Sequence, residues 1–265
     1  MNTRFLVVPG AGVAVFLTLS LTLAHAQLPG AAPFPPGETL TYEVDWAVFT
    51  AGKIMVTLVG TGKGGPSEII TSARSQGTVS LLYKLQDDYH SYFNPQTLCS
   101  QRISKKINEG RRHRDVDISF DGNRGVAVVE ARDLNDPNSA PQRTEHKMPA
   151  CAEDIVTTFY FARRQPLRVG QSFQFAVNDG GETQTVVAEV QAEEPLQTAL
   201  GTRNALRVEP KIFGSLYKRK GRLLVWFSND EQHVPLRLKL MLSVGTITAN
   251  LKSISSAPTI SAPAH

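Results

Sequence analysis

Alternation of apolar and polar side chains with a period of two is the feature that most restricts how this chain folds. From Leu40 to Val48 every second side chain is large and apolar, and from Leu236 to Leu242 every second side chain is leucine. Weaker alternation recurs at 54–58, 116–120, 186–190 and 247–251. Because successive side chains of a strand point to opposite faces, the pattern predicts many strands with one buried face.

Short turn signals separate these segments. Clusters of Gly, Asn, Asp and Pro occur at 63–66, 121–123 and 178–181, where they indicate hairpin turns. Parallel pairing needs crossover helices, which the sequence lacks. We therefore expect an all-β fold, either one large curved antiparallel sheet or a flattened open barrel, with a two-sheet sandwich as the alternative.

One short helix is predicted at Glu153–Arg164, where apolar side chains fall at helical spacing. Glu153 and Asp154 would complement the positive end of the helix dipole, and Arg163 and Arg164 its negative end. Pro166 would prevent continuation.

The N-terminal segment is typical of a secretory signal peptide. Arg4 precedes an apolar run, and small residues at 24 and 26 predict cleavage after Ala26. An uncleaved membrane anchor is the alternative, although Pro9 and nearby glycines interrupt the run. We expect a periplasmic or secreted protein with no transmembrane segment once the signal peptide (1–26) is removed.

The remaining chain is expected to form a single β-rich domain at 37–254. A proline-rich lead-in at 27–36 precedes it, and a flexible tail at 255–265 follows it. Residues 133–149 are polar, contain three prolines and lack periodicity, which predicts a long excursion between two β-rich halves. The net formal charge of +4 gives no reason to expect a nucleic-acid partner, which would normally require a concentrated basic face.

Cys99 and Cys151 are the only cysteines, and an even count in an exported chain predicts a disulfide between them. Two buried free thiols or a metal site are the alternatives. Neither cysteine has a C-x-x-C partner or a nearby pair of histidines, which argues against a metal.

Sequence motifs of the common catalytic, metal and cofactor sites are absent, so no catalytic residue, metal or cofactor is predicted. Residues distant in sequence can still converge in space. An envelope hydrolase built from Asp88, His90 and Asp230 is therefore kept as one functional hypothesis. Asp88 and His90 would share a face of one strand, but a polar strand face is the simpler interpretation.

A basic hairpin is the second candidate site. Its cationic residues flank a turn at 108–110 and could bind lipid head groups, acidic polysaccharide or phosphate: Lys105, Lys106, Arg111, Arg112 and Arg114. Exposed strands also carry Lys and Arg to prevent aggregation, which is the alternative interpretation. Residues 218–222 form a second basic run with the same ambiguity.

Several segments together resemble a family of exported bacterial proteins catalogued as domain of unknown function 3108. They are Gly37-Glu38-x-Leu40-x-Tyr42-x-Val44-x-Trp46, Ala51-Gly52, Asp154 through Phe159-Tyr160 to Arg163, Leu167-x-Val169-Gly170, Trp226-x-Ser228-x-Asp230, Val234-Pro235-Leu236 and Gly245 to Leu251. The resemblance implies an envelope-located, mostly antiparallel β fold. It supplies no established activity, cofactor or catalytic residue.

The preferred functional hypothesis is a non-enzymatic periplasmic or envelope protein that binds an apolar or lipid-like ligand on the concave face of its sheet. Aromatic side chains, among them Phe159, Tyr160, Phe161 and Phe227, could line such a cavity or simply fill the core. The choice depends on whether the sheet closes tightly, which the sequence does not specify.

Overall fold

The computed structural model describes residues 34–35, 37–60, 65–212, 221–243 and 245–256, which contain fourteen strands and two helices. The strands are β1 (Thr39–Trp46), β2 (Phe49–Val59), β3 (Ser67–Ser75), β4 (Gln86–Phe93), β5 (Ser100–Glu109), β6 (Arg112–Asp121), β7 (Val126–Asp133), β8 (Gln142–Lys147), β9 (Ser172–Val177), β10 (Gln184–Thr198), β11 (Gly201–Ile212), β12 (Arg222–Ser228), β13 (Pro235–Leu242) and β14 (Gly245–Ser255). The helices are α1 (Val79–Leu82) and α2 (Thr157–Arg163).

All fourteen strands of the described residues belong to one antiparallel sheet. From one edge to the other their order is β8, β7, β6, β5, β4, β3, β2, β1, β14, β13, β12, β11, β10, β9. The pairing of β1 with β14, for example Val44 opposite Ala249, joins the two halves of the chain. The sheet is not closed into a barrel, since β8 and β9 do not pair. The prediction of a single large antiparallel sheet is confirmed, and the two-sheet alternative is not.

The sheet wraps around α2. Tyr160 of α2 packs against Phe93 of β4, with ring centroids 6.3 Å apart, while Ala162 joins an apolar cluster with Val208 and Val225 of β11 and β12. Fourteen flat strands would span about 60 Å at the usual strand spacing. One seven-residue helix contacts both halves only because the sheet curves around it.

The segment between β8 and α2 crosses the inner face from one edge of the sheet to the other. Ala152 accepts a hydrogen bond from Ser100 N at 3.0 Å, and Glu153 exchanges backbone hydrogen bonds with Ala176 and Asn178 at 2.8 and 3.0 Å. The expected disulfide joins Cys99 to Cys151 at the start of this crossing. The disulfide therefore ties the crossing segment to the loop between β4 and β5.

Two local expectations were wrong, and one element was not expected. The helix begins at Thr157 rather than Glu153, because the Glu153 backbone pairs beside β9 instead. Residues 133–149 include strand β8, whose polar sequence suits an edge strand exposed on both faces. The helical turn α1 was not expected, since its sequence Val-Ser-Leu-Leu has no helical periodicity to detect.

The ends of the chain lie mostly outside the described residues. The proposed signal peptide and cleavage site fall entirely there, as do 257–265 of the tail. Of the lead-in, Phe34 packs edge-on against Tyr160 with ring centroids 5.0 Å apart. That end of the lead-in is therefore fixed to the core.

Candidate ligand-binding site

Asp154 fixes the start of α2. Its carboxylate is fully buried, and one oxygen accepts hydrogen bonds from the backbone N–H groups of Val156 and Thr157 at 2.8 and 3.0 Å. The other oxygen accepts from the hydroxyls of Ser91, Ser100 and Thr157 at 2.5 to 2.7 Å. Five donors compensate a charge that would otherwise be costly to bury. The predicted role of Asp154 at the helix start is therefore met by direct hydrogen bonds.

Arg163 fixes the other end of α2. Its guanidinium is buried and donates two hydrogen bonds to the Glu38 carboxylate, at 2.6 and 2.9 Å, and a third to the Gln232 carbonyl at 3.0 Å. The guanidinium also lies over the rings of Phe34 and Tyr160, 4.7 and 5.1 Å from their centroids. Arg163 therefore anchors the helix to Glu38, the residue that directly precedes β1, rather than acting only on the helix dipole.

A cavity of about 650 Å³ lies between α2 and strands β9 to β12. Its floor is apolar and buried, and includes Phe175, Val186, Ala188 and Val208. Phe159 of α2 forms the opposite wall. Polar groups occur at the end of the cavity formed by the β9–β10 turn, where Asp179, Gly180, Gly181 and Glu182 lie. The cavity is thus an apolar space with a polar end.

A smaller cavity of about 190 Å³ lies on the other side of Phe159, against the middle of the sheet. Two hydroxyls in its lining, those of Thr71 and Tyr160, are buried without a hydrogen-bond partner among the described residues. Burial raises the pKa of Tyr160, so its phenol stays protonated. Tyr42 is satisfied instead, since its hydroxyl donates to the Pro235 carbonyl at 2.8 Å.

A third cavity, of about 300 Å³, adjoins the polar end of the large one. Both cavities are lined by Ile155, Asp179 and Gly180. Lys105, Arg112 and Arg114 of the basic hairpin line the third cavity. Apolar and cationic linings are therefore contiguous on the inner face of the sheet.

The structure divides the basic hairpin into two groups. Lys105 is buried and pairs with Asp179, Arg112 lies 3.4 Å from Glu109, and Arg114 has no hydrogen-bond or ion-pair partner among the described residues. Lys106 and Arg111 are exposed and do not line the cavity. Strand alternation explains the division between Lys105 and Lys106, because neighbours in β5 face opposite sides. Of the second basic run, 218–220 lies outside the described residues.

The carboxylates around the third cavity contact groups other than Arg114. Burial, followed by the neighbouring Asp87, raises the pKa of Glu109 above its usual range. Asp87 itself accepts hydrogen bonds from Asn108 N at 2.9 Å and from the Tyr89 hydroxyl at 3.2 Å. Arg114 is consequently the cation in this lining that is most available to a bound anion.

Asp88, His90 and Asp230 each contact different groups. Arg74 donates to Asp88 at 2.5 Å, and the His90 ring lies 2.7 Å from Glu68. Asp230 accepts from the Ser228 hydroxyl at 2.9 Å and from backbone N–H groups of its own turn. No hydrogen bond links any two of the three among the residues that the structure describes, so no specific contact favours the hydrolase hypothesis.

Glu153 is a buried carboxyl that sequence reasoning assigned to the helix dipole. It is 2 % exposed, and one of its oxygens has no hydrogen-bond partner in the described part of the chain. Burial raises its pKa to about 8. Glu153 is therefore protonated in the folded protein at neutral pH and adds no anion to the crossing segment.

Sequence reasoning did not identify Ile155, Phe175 or Asp179 as lining residues. A usable signal existed for one side of the cavity, since Phe173 and Phe175 alternate directly before the turn at 178–181. No signal in the sequence relates this turn to β5 or β6, because that contact arises from the curvature of the sheet.

Two kinds of feature are absent from the described residues. No group of three or more His, Cys, Asp or Glu side chains is arranged to hold a metal ion. Neither of the two helices within the described ranges has the length and apolar character needed to cross a membrane.

Comparison with known proteins identifies a family. The sequence profile of the family described as "Protein of unknown function (DUF3108)" matches residues 41–252, which is most of the chain. No curated protein matches the sequence.

The chain is similar to proteins of known structure, and the first of the following shares its fold. A β-barrel-like protein of domain of unknown function DUF1849 from Brucella abortus superposes with a TM-score of 0.59 at 9 % identity, covering 85 % of this chain and 100 % of that one. A protein assigned as exported, with a YmcC-like fold, from Bacteroides fragilis has a TM-score of 0.36 at 8 % identity, covering 84 % and 98 %. A protein assigned as a lipoprotein from Parabacteroides distasonis gives 0.37 at 10 %, covering 84 % and 97 %.

Proposed function

Since the chain belongs to the DUF3108 family, whose function is unknown, we propose a function from the geometry of the chain itself. The protein is an exported envelope protein that works by binding an apolar, lipid-like ligand on the inner face of its sheet. The single observation that carries this proposal is the cavity of about 650 Å³ beside α2. Small-molecule sites commonly have volumes of roughly 300–1,000 Å³ with mostly apolar linings and a few polar groups.

Export to the periplasm or beyond is part of the proposal. The signal-peptide pattern at 1–26 supports it, with cleavage after Ala26. The Cys99–Cys151 disulfide supports it independently, because structural disulfides persist in oxidising compartments and are rare in the cytosol.

The ligand carries an anionic head group. Lys105, Arg112 and Arg114 line the cavity that adjoins the polar end of the apolar one, so a single ligand would place its chain against Phe175 and its head near Arg114. Because Lys105 is neutralised by Asp179, Arg114 supplies most of the attraction.

Filling the large cavity tests whether ligand binding occurs there. Ala188→Phe adds a ring to the floor of the cavity, whereas Val187→Phe adds the same ring to the opposite face of the same strand. Lipid extraction and native mass spectrometry of the purified proteins should find a bound lipid in the wild type and in Val187→Phe but not in Ala188→Phe. The proposal fails if the wild type carries no lipid and binds none of a panel of long-chain acids and alcohols.

The head-group assignment has its own test. Arg114→Gln should weaken binding of palmitate by roughly tenfold or more, since a charge-assisted hydrogen bond is lost, and should leave binding of hexadecanol unchanged. Lys106→Gln, on the same hairpin but outside the cavity, is the matched control. Equal affinity of the wild type for palmitate and hexadecanol would disprove the anionic head group while leaving the apolar site intact.

A further inference from the structure

One rim of the sheet exposes an unusual number of large apolar side chains. Four of them lie on the β1–β2 turn and on α1, where Val48, Phe49, Leu81 and Leu82 are 86, 62, 85 and 86 % exposed. Trp46, Tyr83, Leu134 and Ile247 lie on the same rim and are also exposed. Single exposed apolar residues are ordinary, but a contiguous group normally marks an interaction surface.

Hydrogen bonds show that these turns lie side by side along one rim of the sheet. Ala47 N donates to the Thr246 carbonyl at 2.9 Å, and Gln76 N, at the entry to α1, donates to Ala51 O at 2.8 Å. On the far side of α1, Gly110 N donates to the Lys84 carbonyl at 2.8 Å. The β13–β14 turn, the β1–β2 turn, α1 and the β5–β6 turn therefore form a continuous line, which we call the apolar rim.

Cations border the apolar rim at its β5–β6 end. Lys84 directly follows the exposed Tyr83, and Arg111 lies in the adjoining turn. Both side chains are exposed and have no ion-pair partner among the described residues. Of the neighbouring acids, Glu109 pairs with Arg112, and Asp133 accepts a hydrogen bond from Asn135 N at 3.0 Å. Lys84 and Arg111 therefore place unpaired positive charge beside Tyr83.

We infer that the apolar rim is a docking surface for an anionic lipid bilayer. Exposed Leu, Val and Phe side chains suit the boundary between head groups and acyl chains, and Trp46 and Tyr83 suit the head-group level. Lys84 and Arg111 would contact anionic head groups. A soluble acidic polymer would use the cations but would gain nothing from four highly exposed apolar side chains, so the combination favours a membrane.

Vesicle binding tests this inference. Mass spectrometry first checks the N-terminus of the purified protein, so that the signal peptide does not contribute to membrane binding. The purified protein is sedimented with phosphatidylcholine vesicles, with and without phosphatidylglycerol. It should sediment with the anionic vesicles. Trp46 provides a direct reading, because the other tryptophan, Trp226, is buried. The emission of Trp46 should shift to the blue and be quenched by brominated lipid, and Trp46→Phe should abolish both changes.

Two double variants separate the apolar from the electrostatic contribution. Leu81→Ser/Leu82→Ser should lower vesicle partitioning by at least about tenfold at any ionic strength. Lys84→Ser/Arg111→Ser should lower it by about tenfold at low ionic strength and by much less at high salt, where the wild type weakens as well. These side chains are so exposed that both variants should unfold at the wild-type midpoint.

The matched control removes two exposed apolar side chains from the opposite rim, Val169→Ser/Ile254→Ser, and should bind vesicles like the wild type. The inference is overturned if the wild type does not bind anionic vesicles, or if the control loses as much binding as the α1 variant. The inference is also overturned if Leu81→Ser/Leu82→Ser keeps its vesicle binding while Lys84→Ser/Arg111→Ser loses binding to both vesicles and heparin. That result would indicate an acidic polymer as the partner. Palmitate binding by Leu81→Ser/Leu82→Ser shows separately whether the cavity still binds its ligand.

Discussion

The two sides of α2 differ in how completely the inner face of the sheet is filled. On the side of β2 to β7, Phe93, Leu98, Ile103 and Ile118 are at most 1 % exposed and pack under the crossing segment and Tyr160. On the side of β9 to β12, strands of the same alternating pattern leave a cavity of about 650 Å³ beside Phe159. The strands themselves are alike, so the difference comes from what crosses over them.

The crossing segment accounts for the filled side. Met148, Ala152 and Val156 belong to the same apolar cluster as Phe93, and the disulfide at Cys151 holds their segment in place. Over β9 to β12 the described residues place α2 and Leu167, which leave the space beside Phe159 unfilled. A sheet of this size thus obtains a structural core and an open cavity from one sequence pattern, according to where the chain crosses it.

Breaking the Arg163–Glu38 pair should have the largest effect on this arrangement. Arg163→Ala leaves the Glu38 carboxylate buried without its partner and frees the end of α2, so we expect the free energy of unfolding to fall by about 4–5 kcal/mol in urea denaturation. The double variant Glu38→Gln/Arg163→Met removes both charges and should recover much of the loss. A double variant as unstable as Arg163→Ala would contradict this account.

Neighbouring residues of α2 provide the sharpest test of the comparison. Tyr160→Ala, on the filled side, should cost about 4 kcal/mol, whereas Phe159→Ala, on the cavity side, should cost about 1 kcal/mol because its ring already faces open space. Tyr160→Phe should be nearly neutral, since the hydroxyl has no partner among the described residues. Equal losses for the two alanine variants would show that the two sides are packed alike.

Removing the disulfide should loosen the filled side selectively. Cys99→Ser/Cys151→Ser should lower the free energy of unfolding by about 4 kcal/mol, given a loop of 52 residues. Hydrogen exchange should accelerate more at Ile103 than at Val208, because only the former lies under the crossing segment. Uniform acceleration across the sheet would argue that the crossing segment does not depend on the disulfide.

The last effect concerns Glu153 and depends on pH. Its pKa of about 8 in the folded state exceeds the ordinary carboxyl value of 4.5, so between these values the folded protein binds more protons than the unfolded chain. Stability is therefore lost as pH rises from about 4.5 to about 8. Glu153→Gln should remove this dependence, remaining close to the wild type near pH 5 and exceeding it increasingly as the pH approaches 8. Parallel stability curves would show that Glu153 does not titrate in this way.

The general architecture could be predicted because it depends on local pattern. Alternation around Tyr42 and Leu238, turn residues at 178–181 and the cysteine count led to the antiparallel sheet and the disulfide. The start of α2 could not be predicted, because the Glu153 backbone pairs with β9, an edge strand that no local sequence pattern links to Glu153.

The candidate site was predictable only in part. The basic residues were recognised as a group, but their separation into Lys105, Arg112 and Arg114 inside and Lys106 and Arg111 outside depends on the orientation of two strands. Asp179 reaches Lys105 across 74 residues, a contact that requires the sheet to curve until the β9–β10 turn meets β5.

The sequence by itself determined which faces of the strands are apolar, where most hairpins turn and which cysteines pair, since each depends on residue type and near neighbours. Tertiary structure alone decided that the face beside Phe93 is filled and that the face beside Phe175 is open, and that apolar turns align on one rim. The physical reason is that sheet curvature and the path of the crossing segment bring together residues with no shared local pattern.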